Sequence, residues 1–359
     1  AKCNHNLRLF HILAFGQTFF QSNLFTLYHF YTDTSCMKRK WIRRVGWILL
    51  TPIILFVILM VLLYIPPVQN LLRREVTAYA SKATGMQIQV ERIDLRFPLN
   101  LLVRGVEVIQ QPDTLLSLES LNVRVQAWPL LKGKVEVDEV TLSQVAVNSA
   151  NLIEGMQIKG VLGRFFLQSH GVDLSNETAV VNRTELSDTH IQLLMTDTTT
   201  TPKDTTASAP VNWKVNLHQL KLKNVSFGMK LPADSMKMAA YIGEATIDDA
   251  KADLKNQFYG LKQFLLSGAS ASYDTGEAQP SEGFDASHMA VRNIRIGLDS
   301  LLYEGRNMNA VIREITMEER SGLSITSLTG RPFSTASIIR IPELKLQTPH
   351  SEIDLSAQT

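Results

Sequence analysis

From Met86 onward, hydrophobic and polar residues alternate along this chain with a period of two. Ile88 and Val90, for example, are separated and flanked by glutamines and a glutamate. This alternation is typical of β-strands with one apolar face and one solvated face. After residue 85, no stretch keeps the helical period for more than a turn or two. The pattern therefore predicts an all-β fold.

The alternation slips by one residue at repeated places. In the segment Val215-x-Leu217-x-x-Leu220-x-Leu222, two polar residues separate two apolar pairs. The double polar steps of this kind are Asp138-Glu139, Ser143-Gln144, His218-Gln219, Lys223-Asn224, Arg292-Asn293 and Pro342-Glu343. A bulge or sharp bend at each step returns the next apolar pair to the same face. We therefore expect an elongated, strongly curved antiparallel β-sheet, with its apolar residues inside the curve.

The apolar residues of these strands are the candidate lining of a groove. They are Ile88, Val90, Val135, Val137, Val140, Leu142, Leu217, Leu220, Leu222, Val225, Phe227, Ile294, Ile296, Leu344 and Leu346. The pattern leaves a closed β-sandwich open as the alternative, in which the same side chains form an ordinary core. A Thr/Ser/Pro-rich loop at 196–210 separates a first β-segment, 86–195, from a second, 211–359.

Residues 45–65 form an apolar stretch without a charged residue. As a helix it would extend about 31 Å, close to the hydrocarbon thickness of a bilayer. Cations are concentrated on its N-terminal side, which favours a cytoplasmic N-terminus and export of the rest. The candidate anchor residues are Lys38, Arg39, Lys40, Arg43, Arg44, Trp47, Phe56 and Tyr64. Residues 37–65 are thus predicted to be a transmembrane anchor, with a cleaved signal peptide as the alternative.

The segments on either side of the anchor differ in character. Residues 66–85 begin with two prolines, show helical spacing of apolar residues and end at Gly85. They predict a short amphipathic helix that either lies at the membrane exit or covers the end of the first sheet. Residues 1–36 contain both cysteines and show no period, and Met37 directly precedes the basic cluster. We expect 1–36 to be a non-native or disordered extension.

Charge and motifs argue against several functional classes. The whole chain has a net charge of +2, yet acidic residues outnumber basic ones after Pro66, and no basic patch contains interleaved aromatics. The sequence lacks a P-loop, a Gly-x-Ser-x-Gly, a His-Glu-x-x-His and a dinucleotide fingerprint. We therefore expect no enzyme activity, cofactor, metal site or nucleic-acid partner.

The chain resembles the N-terminal part of the AsmA-like superfamily, most closely its translocation and assembly module members of the TamB type. The resemblance lies in the order of a basic-flanked anchor, a short helix ending at Thr84-Gly85-Met86, and amphipathic strands. Its most specific block is Pro129-Leu130-Leu131-Lys132-Gly133-Lys134-Val135. The resemblance covers residues 37–359.

This resemblance implies a taco-like β-groove on a single-pass protein of the bacterial inner membrane, with its bulk in the periplasm. It implies a role in outer-membrane biogenesis, in which phospholipids or other acyl lipids pass between the membranes along the groove. The alternative is a translocation and assembly factor that helps to insert outer-membrane proteins. In that case the partner would be an outer-membrane barrel protein of the TamA type, contacted through a C-terminal region not present here.

Overall fold

The computed structural model describes residues 50–51, 54–55, 57–58, 61–62 and 64–358. Within the last range it leaves out 98, 131–135, 150–151, 153–154, 174–175, 196–211 and 277–278. The chain divides into two units, Ala1–Leu63 and Tyr64–Thr359. The sections below concern the second unit.

The predicted N-terminal extension, most of the predicted anchor and the loop 196–210 lie outside the described residues. Of the candidate anchor residues only Tyr64 is described, and it is half-buried. The described residues between 50 and 62 are helical. Within the part of the chain that the structure describes, no helix combines the length and the apolar composition needed to span a bilayer.

Helix α1 spans Pro66–Thr84, close to the predicted bounds. Pro66 suits the first helical position because its missing N–H has no partner there in any case. Gly85 ends the helix with φ of 70°, a left-handed conformation that glycine adopts without steric cost, and its N–H donates to the Ser81 carbonyl. Local sequence therefore determines both ends of α1.

The remaining regular structure is almost entirely β, which confirms the predicted class. The strands are β1 (Gln87–Arg96), β2 (Asn100–Gln110), β3 (Asp113–Val125), β4 (Val137–Asn148), β5 (Met156–Asp173), β6 (Thr178–Met195), β7 (Lys214–Leu231), β8 (Met236–Asp253), β9 (Phe258–Leu261), β10 (Gln263–Asp274), β11 (His288–Glu304), β12 (Asn307–Glu319), β13 (Ser324–Ile325), β14 (Ser327–Thr329), β15 (Phe333–Ser334), β16 (Ile339–Gln347) and β17 (Glu352–Gln358). Two single turns, α2 (Ala127–Leu130) and a 3₁₀ turn (Pro232–Asp234), interrupt them.

All seventeen strands belong to one sheet. Most consecutive strands pair antiparallel, as expected, but β6 and β7 pair parallel, so the prediction of a purely antiparallel sheet was wrong. A parallel pair requires a connection long enough to return the chain to the starting end of the strand. The Thr/Ser/Pro-rich segment lies between β6 and β7, so it joins the two predicted β-segments within one mixed sheet.

The predicted bulges are present at the double polar steps. Gln144, Asn224, Asn293 and Glu343, the second residues of four steps, have φ values between 49° and 58°. At Asp138-Glu139 the pairing of β3 with β4 shifts by one residue. At His218-Gln219 the left-handed residue is instead Asp249 on the neighbouring strand, with φ of 50°. The slips in the sequence therefore correspond to real breaks in strand geometry.

The sheet has almost no closed core. No large side chain of the described residues is fully buried, and the buried apolar residues are few and mostly alanine. They are Ile93, Leu115, Leu118, Ala179, Ala245, Ala269 and Ala310. In a β-sandwich a second sheet would cover the inward side chains completely. The described strands belong to one hydrogen-bonded sheet, and few of their apolar side chains are buried.

Candidate functional site

Strand register aligns the apolar positions into four rows that run across the strands. Row 1 consists of Ile88, Val108, Leu116, Val147, Gly160, Ile191, Phe227, Ala240, Ala271 and Val291. Row 2 consists of Val90, Val106, Leu118, Val145, Leu162, Thr189, Val225 and Ile242. Each member of a row is the register partner of the next, so the row crosses successive strands without a break.

Rows 3 and 4 are longer and cross eleven strands each, from β1 to β12 with β9 left out. Row 3 consists of Ile93, Val103, Leu121, Leu142, Phe165, Leu186, Leu222, Ala245, Leu266, Ile296 and Ile315. Row 4 consists of Leu95, Leu101, Val123, Val140, Leu167, Thr184, Leu220, Ile247, Phe264, Leu298 and Ile312. At about 4.8 Å between strands, each of these rows is about 48 Å long. We call rows 1 to 4 together the apolar face.

A line of special backbone positions, which we call the crease, separates row 2 from row 3. It runs through Glu91, Gly105, Glu119, Gln144, Gly163, Asp188, Asn224 and Gly243. Gly105, Gln144, Asp188 and Asn224 have positive φ values. On each strand, two residues instead of one separate the row 2 position from the row 3 position. The irregular backbone at the crease compensates for the extra residue, so rows 2 and 3 lie on one face.

Side-chain size along the crease follows from close backbone contact. A Cβ atom on Gly163 would lie 2.7 Å from the Asp188 Cβ and 2.9 Å from the Asp188 carbonyl oxygen. A Cβ atom on Gly243 would lie 2.9 Å from the Gly268 carbonyl oxygen. Where β6 and β7 run parallel, the Asn224 side-chain amide donates a 2.7 Å hydrogen bond to the Asp188 carboxylate. Glycine therefore fits at residues 163 and 243, whereas longer polar side chains occupy other crease positions such as Glu119 and Gln144.

The apolar face is only partly covered. Ile93 and Ala245 are 7% and 4% exposed, whereas most other members are half-buried. Toward the turns that end β6 and β7 the coverage falls, and Ile191 and Phe227 are 39% and 41% exposed. Neighbouring side chains of the same face account for the partial burial, since no second sheet lies over them. Such a face leaves apolar area accessible to a ligand.

The structure brings most predicted lining residues together. Ile88 and Phe227 lie in row 1, Val90 and Val225 in row 2, Leu142, Leu222 and Ile296 in row 3, and Val140 and Leu220 in row 4, while Ile294 pairs with Ala269 on β10. Val137 pairs with Val125 on β3, and Leu344 and Leu346 pair with Leu355 and Ile353 on β17 at the far end of the sheet. Val135 lies outside the described residues.

Sequence reasoning missed several members of the apolar face, including Val103, Phe165, Leu266 and Ile315. The sequence contained a usable signal for these residues. Val103 and Val106 flank the two residues Arg104-Gly105, just as other apolar pairs flank a double polar step. Leu162 and Phe165 flank Gly163-Arg164 in the same way. Two residues that include a glycine therefore mark a break in the alternation, just as two polar residues do.

Beyond row 4 a small cavity continues the apolar face. It has a volume of about 220 Å³ and is lined by Val215, Leu217, Ala250, Lys251, Ala252, Tyr259, Gly260, Leu261 and Leu301. On the opposite side of the sheet, His218 Nδ1 lies 3.1 Å from the Asp249 carboxylate, and Lys262 Nζ lies 3.6 Å from it. The hydrogen bond from His218 and the Lys262 charge lower the pKa of Asp249. Charged groups thus stay on the solvated side.

Two larger cavities differ in how they relate to the apolar face. A cavity of about 1010 Å³ is lined by both apolar and polar residues of β5 to β12, including Phe227, Ala240, Ala271 and Val291 of row 1. Another of about 610 Å³ is lined mainly by charged residues of β11 to β17. The apolar face is thus an extended surface that borders the small cavity beyond row 4 and, along row 1, the cavity of about 1010 Å³.

No protein-family model matches the chain, and no curated protein sequence matches it. The resemblance to the AsmA-like superfamily therefore stays a prediction from the residues. Among the described residues, no three histidine, cysteine, aspartate or glutamate side chains form a group that could hold a metal ion.

Proposed function

We propose that the apolar face binds the acyl chains of lipids and that this protein, anchored in the bacterial inner membrane, carries phospholipids between membranes. The observation that carries the proposal is row 3. Each of eleven strands contributes one residue to this row, all eleven residues are apolar, and no second sheet covers them. Each CH₂ group removed from water contributes about 0.8 kcal/mol, so long acyl chains would bind without specific polar contacts.

The uniformity of the rows supports movement rather than fixed binding. Rows 3 and 4 contain only Val, Ile, Leu, Ala and Phe, apart from Thr184. A lipid that shifts by one strand along these rows exchanges one aliphatic contact for another of similar energy. The barriers between neighbouring positions are then small, as transport across about 48 Å of sheet requires.

Helix α1 supports the proposed contact with the membrane. Its apolar residues Leu71, Leu72, Val76 and Tyr79 are 56%, 39%, 46% and 77% exposed, and no residue of the helix is buried. A helix with an uncovered apolar side and basic residues such as Arg74 and Lys82 suits the bilayer interface. We place the transfer of lipid between the bilayer and the sheet at Pro66–Gly85.

The proposal is tested by purifying the full chain in a mild detergent and measuring bound lipid by native mass spectrometry and by extraction. Leu222→Asp places a carboxylate in row 3, whereas Lys223→Asp places the same charge on an exposed neighbouring position. We expect about a tenfold loss of bound lipid for Leu222→Asp because a carboxylate against acyl chains is costly, and little change for Lys223→Asp. A wild-type protein without lipid, or equal loss in both variants, contradicts the proposal.

A second candidate function is favoured by strand β17. In the part of the chain that is described, β17 pairs only with β16, so its outer edge has free backbone donors and acceptors. An outer-membrane client strand could add there, as in other cases of β-strand addition, during assembly with a barrel partner. Crosslinks from β17 to client proteins, together with unchanged activity of Leu222→Asp, would favour this function over lipid transport.

A further inference from the structure

Two aromatic side chains at one end of the sheet are among the most exposed large apolar side chains of the described residues. Phe97, in the turn between β1 and β2, is 81% exposed, and Trp128, in the single turn α2 after β3, is 71% exposed. The Val125 N–H donates to the Leu99 carbonyl at 3.0 Å, which brings the two connections together. Because burial of an aromatic ring is favourable, two exposed rings at one place indicate a contact surface.

Two other connections at the same end of the sheet are polar. Between β5 and β6, the Asp173 carboxylate accepts hydrogen bonds from Asn176, from the backbone N–H at 3.1 Å and from the side-chain amide at 2.8 Å. Between β8 and β9, Asp253 and Asn256 make the same two hydrogen bonds at the same distances. The exposed aromatic residues therefore distinguish the β1–β3 part of this end from the part formed by later strands.

The packing of α1 on β1 relates this place to the start of the helix. The Gln69 side-chain amide donates to the Leu95 carbonyl at 3.1 Å, and the Ser81 hydroxyl accepts from the Ile88 N–H at 3.1 Å. As residue numbers rise along α1, those of its partners on β1 fall, so the helix and the strand run antiparallel. The start of α1 therefore lies beside the end of β1.

The chain leaves the apolar stretch 45–65 at the level of Phe97. Ile65 precedes Gln69 by four residues, about 6 Å of helix, and Phe97 follows Leu95 by two residues, about 7 Å of strand. Since Gln69 and Leu95 are in contact, Ile65 and Phe97 end at a similar level. Ile65 is the last residue of a stretch whose predicted helix has the length of a bilayer. A bilayer that the chain leaves at Ile65 has its surface close to Phe97 and Trp128.

The residue types at this end suit a lipid interface. Tryptophan is enriched at the interface because its ring is apolar and its N–H can donate to polar groups. Arg96, next to Phe97, is exposed and has no ion pair within 4.0 Å among the described residues, whereas Arg92 contacts Asp94 at 2.7 Å. A free guanidinium beside aromatic rings can bind the phosphate groups of lipids.

We propose that Phe97 and Trp128 enter the interface of the bilayer and that Arg96 contacts its phosphate groups, so that the β1–β3 end of the sheet rests on the membrane. A second attachment beside the exit of the chain restricts rotation of the sheet about that exit. It also keeps the first strands of the apolar face close to the lipids. This inference rests on the membrane attachment within the proposed function, but not on lipid transport.

Tryptophan fluorescence of the full chain in vesicles tests the inference. Replacing Trp41, Trp47 and Trp213 by phenylalanine leaves Trp128 as the only tryptophan. The vesicles contain phosphatidylcholine and phosphatidylglycerol, with or without bromine on the acyl chains. We expect brominated chains to reduce Trp128 emission about twofold or more, because an indole at the interface lies within reach of the upper acyl carbons.

Phe284→Trp, in a chain whose four natural tryptophans are replaced by phenylalanine, is the matched control. Phe284 is 63% exposed, but it lies between β10 and β11, beyond row 1 and so at the opposite end of the strands. We expect brominated lipids to leave its emission unchanged. Equal quenching at the two positions, or no quenching of Trp128, overturns the inference.

Phe97→Ser tests whether the two aromatic residues act together. Because Phe97 is exposed, the variant should keep the circular dichroism spectrum of the parent chain, yet quenching of Trp128 should weaken. Phe284→Ser should leave that quenching unchanged, and equal quenching in both serine variants contradicts the role of Phe97. Leu222→Asp should not affect Trp128, so loss of lipid binding and loss of this contact are recognised separately. A chain that does not float with the vesicles contradicts the membrane attachment itself.

Discussion

At the scale of single residues, the crease depends on positions where a side chain has no room or must adopt a left-handed conformation. Asp188 and Asn224 have φ values of 51° and 53°, which aspartate and asparagine tolerate better than β-branched residues do. Gly163 and Gly243 stand where a Cβ atom would meet backbone of the neighbouring strand. These small residues allow both sides of the crease to share one apolar face.

Gly163→Ala should therefore destabilise the protein. The new Cβ would lie 2.7 Å from the Asp188 Cβ, so β5 or β6 must shift, and we expect a loss of about 1–3 kcal/mol in the free energy of unfolding. Urea denaturation followed by circular dichroism measures it. Gly228→Ala is the control, because its nearest contact would be 3.9 Å away. Equal changes in both variants would refute the steric account of the crease.

At the scale of elements, helix α1 presents its polar side to the sheet and leaves apolar side chains uncovered. Arg73 donates to the carbonyls of Val90 and Glu91 on β1, at 3.2 and 3.1 Å, and Gln69 donates to the Leu95 carbonyl at 3.1 Å. The Ser81 hydroxyl accepts from the Ile88 N–H at 3.1 Å. These contacts place α1 against the edge of β1 that has no strand partner among the described residues.

If the uncovered side of α1 lies on a bilayer, a probe at Val76 should enter an apolar environment. We predict a blue-shifted emission for an environment-sensitive fluorophore on Val76→Cys when the full chain is reconstituted into vesicles, with Cys3 and Cys36 replaced by serine. The same fluorophore on Glu75→Cys, an exposed position one residue earlier, should show emission typical of water. Identical spectra at both positions would exclude an interfacial helix.

The connection between β10 and β11 depends on the ionised form of Asp285. Its carboxylate accepts hydrogen bonds from the N–H groups of Ser281 and Ser287, both at 3.0 Å, and His288 lies at the same distance. The two backbone hydrogen bonds, from Ser281 first and then Ser287, hold the pKa of Asp285 well below its usual range. The resulting stabilisation of this connection is complete above the unfolded-state pKa of about 4. It is lost as pH falls towards the folded-state pKa.

Hydrogen exchange should show this dependence directly. We expect the Ser287 amide to lose protection as pH is lowered below about 4, after correction for intrinsic exchange rates. Asp285→Asn should exchange faster at neutral pH and show little further change on acidification. The Gly305 amide, bound to the Gln257 carbonyl in another turn, is the internal reference. A wild-type loop whose protection is independent of pH would contradict the assigned role of Asp285.

At the scale of the whole sheet, the unbroken course of rows 3 and 4 matters more for the apolar face than any single residue does. Because β6 and β7 pair parallel, rows 3 and 4 pass without a break from the strands before the Thr/Ser/Pro-rich segment to those after it. A ligand on the apolar face therefore meets one surface about 48 Å long instead of two shorter ones. The proposed lipid path would run along this length.

Photo-crosslinking amino acids along row 3 should detect lipid at distant points of this path. We expect lipid adducts from Val103, Leu222 and Ile315, on β2, β7 and β12, when the full chain is isolated from membranes. A probe at Thr246, which lies between Ala245 and Ile247 and so faces the other side, should give few adducts. Adducts at only one row 3 position would indicate a local binding site and contradict a continuous path.

Local signals allowed much of this structure to be predicted. The bounds of α1 follow from Pro66 and Gly85, and the bulges follow from the double polar steps, since both are decided within a few residues. The parallel pairing of β6 with β7 could not be predicted, because alternation in each strand is the same for either direction. The cavity of about 1010 Å³ was missed because the residues that line it, such as Lys159, Phe227 and Arg292, lie far apart in sequence and meet only through strand pairing.

The sequence by itself determined the β-class, the helix before the sheet, the positions of the bulges and the apolar character of one face. The hydrophobic period, the capping residues and the double polar steps act over short distances along the chain, so they can be recognised without a structure. Only the tertiary structure could show how the strands pair and whether apolar residues are covered as in a sandwich core; the described strands form one sheet with few buried apolar residues. The physical reason is that Leu142 or Leu222 has the same pattern in both cases, and what covers it depends on which strands pair and on what packs against them.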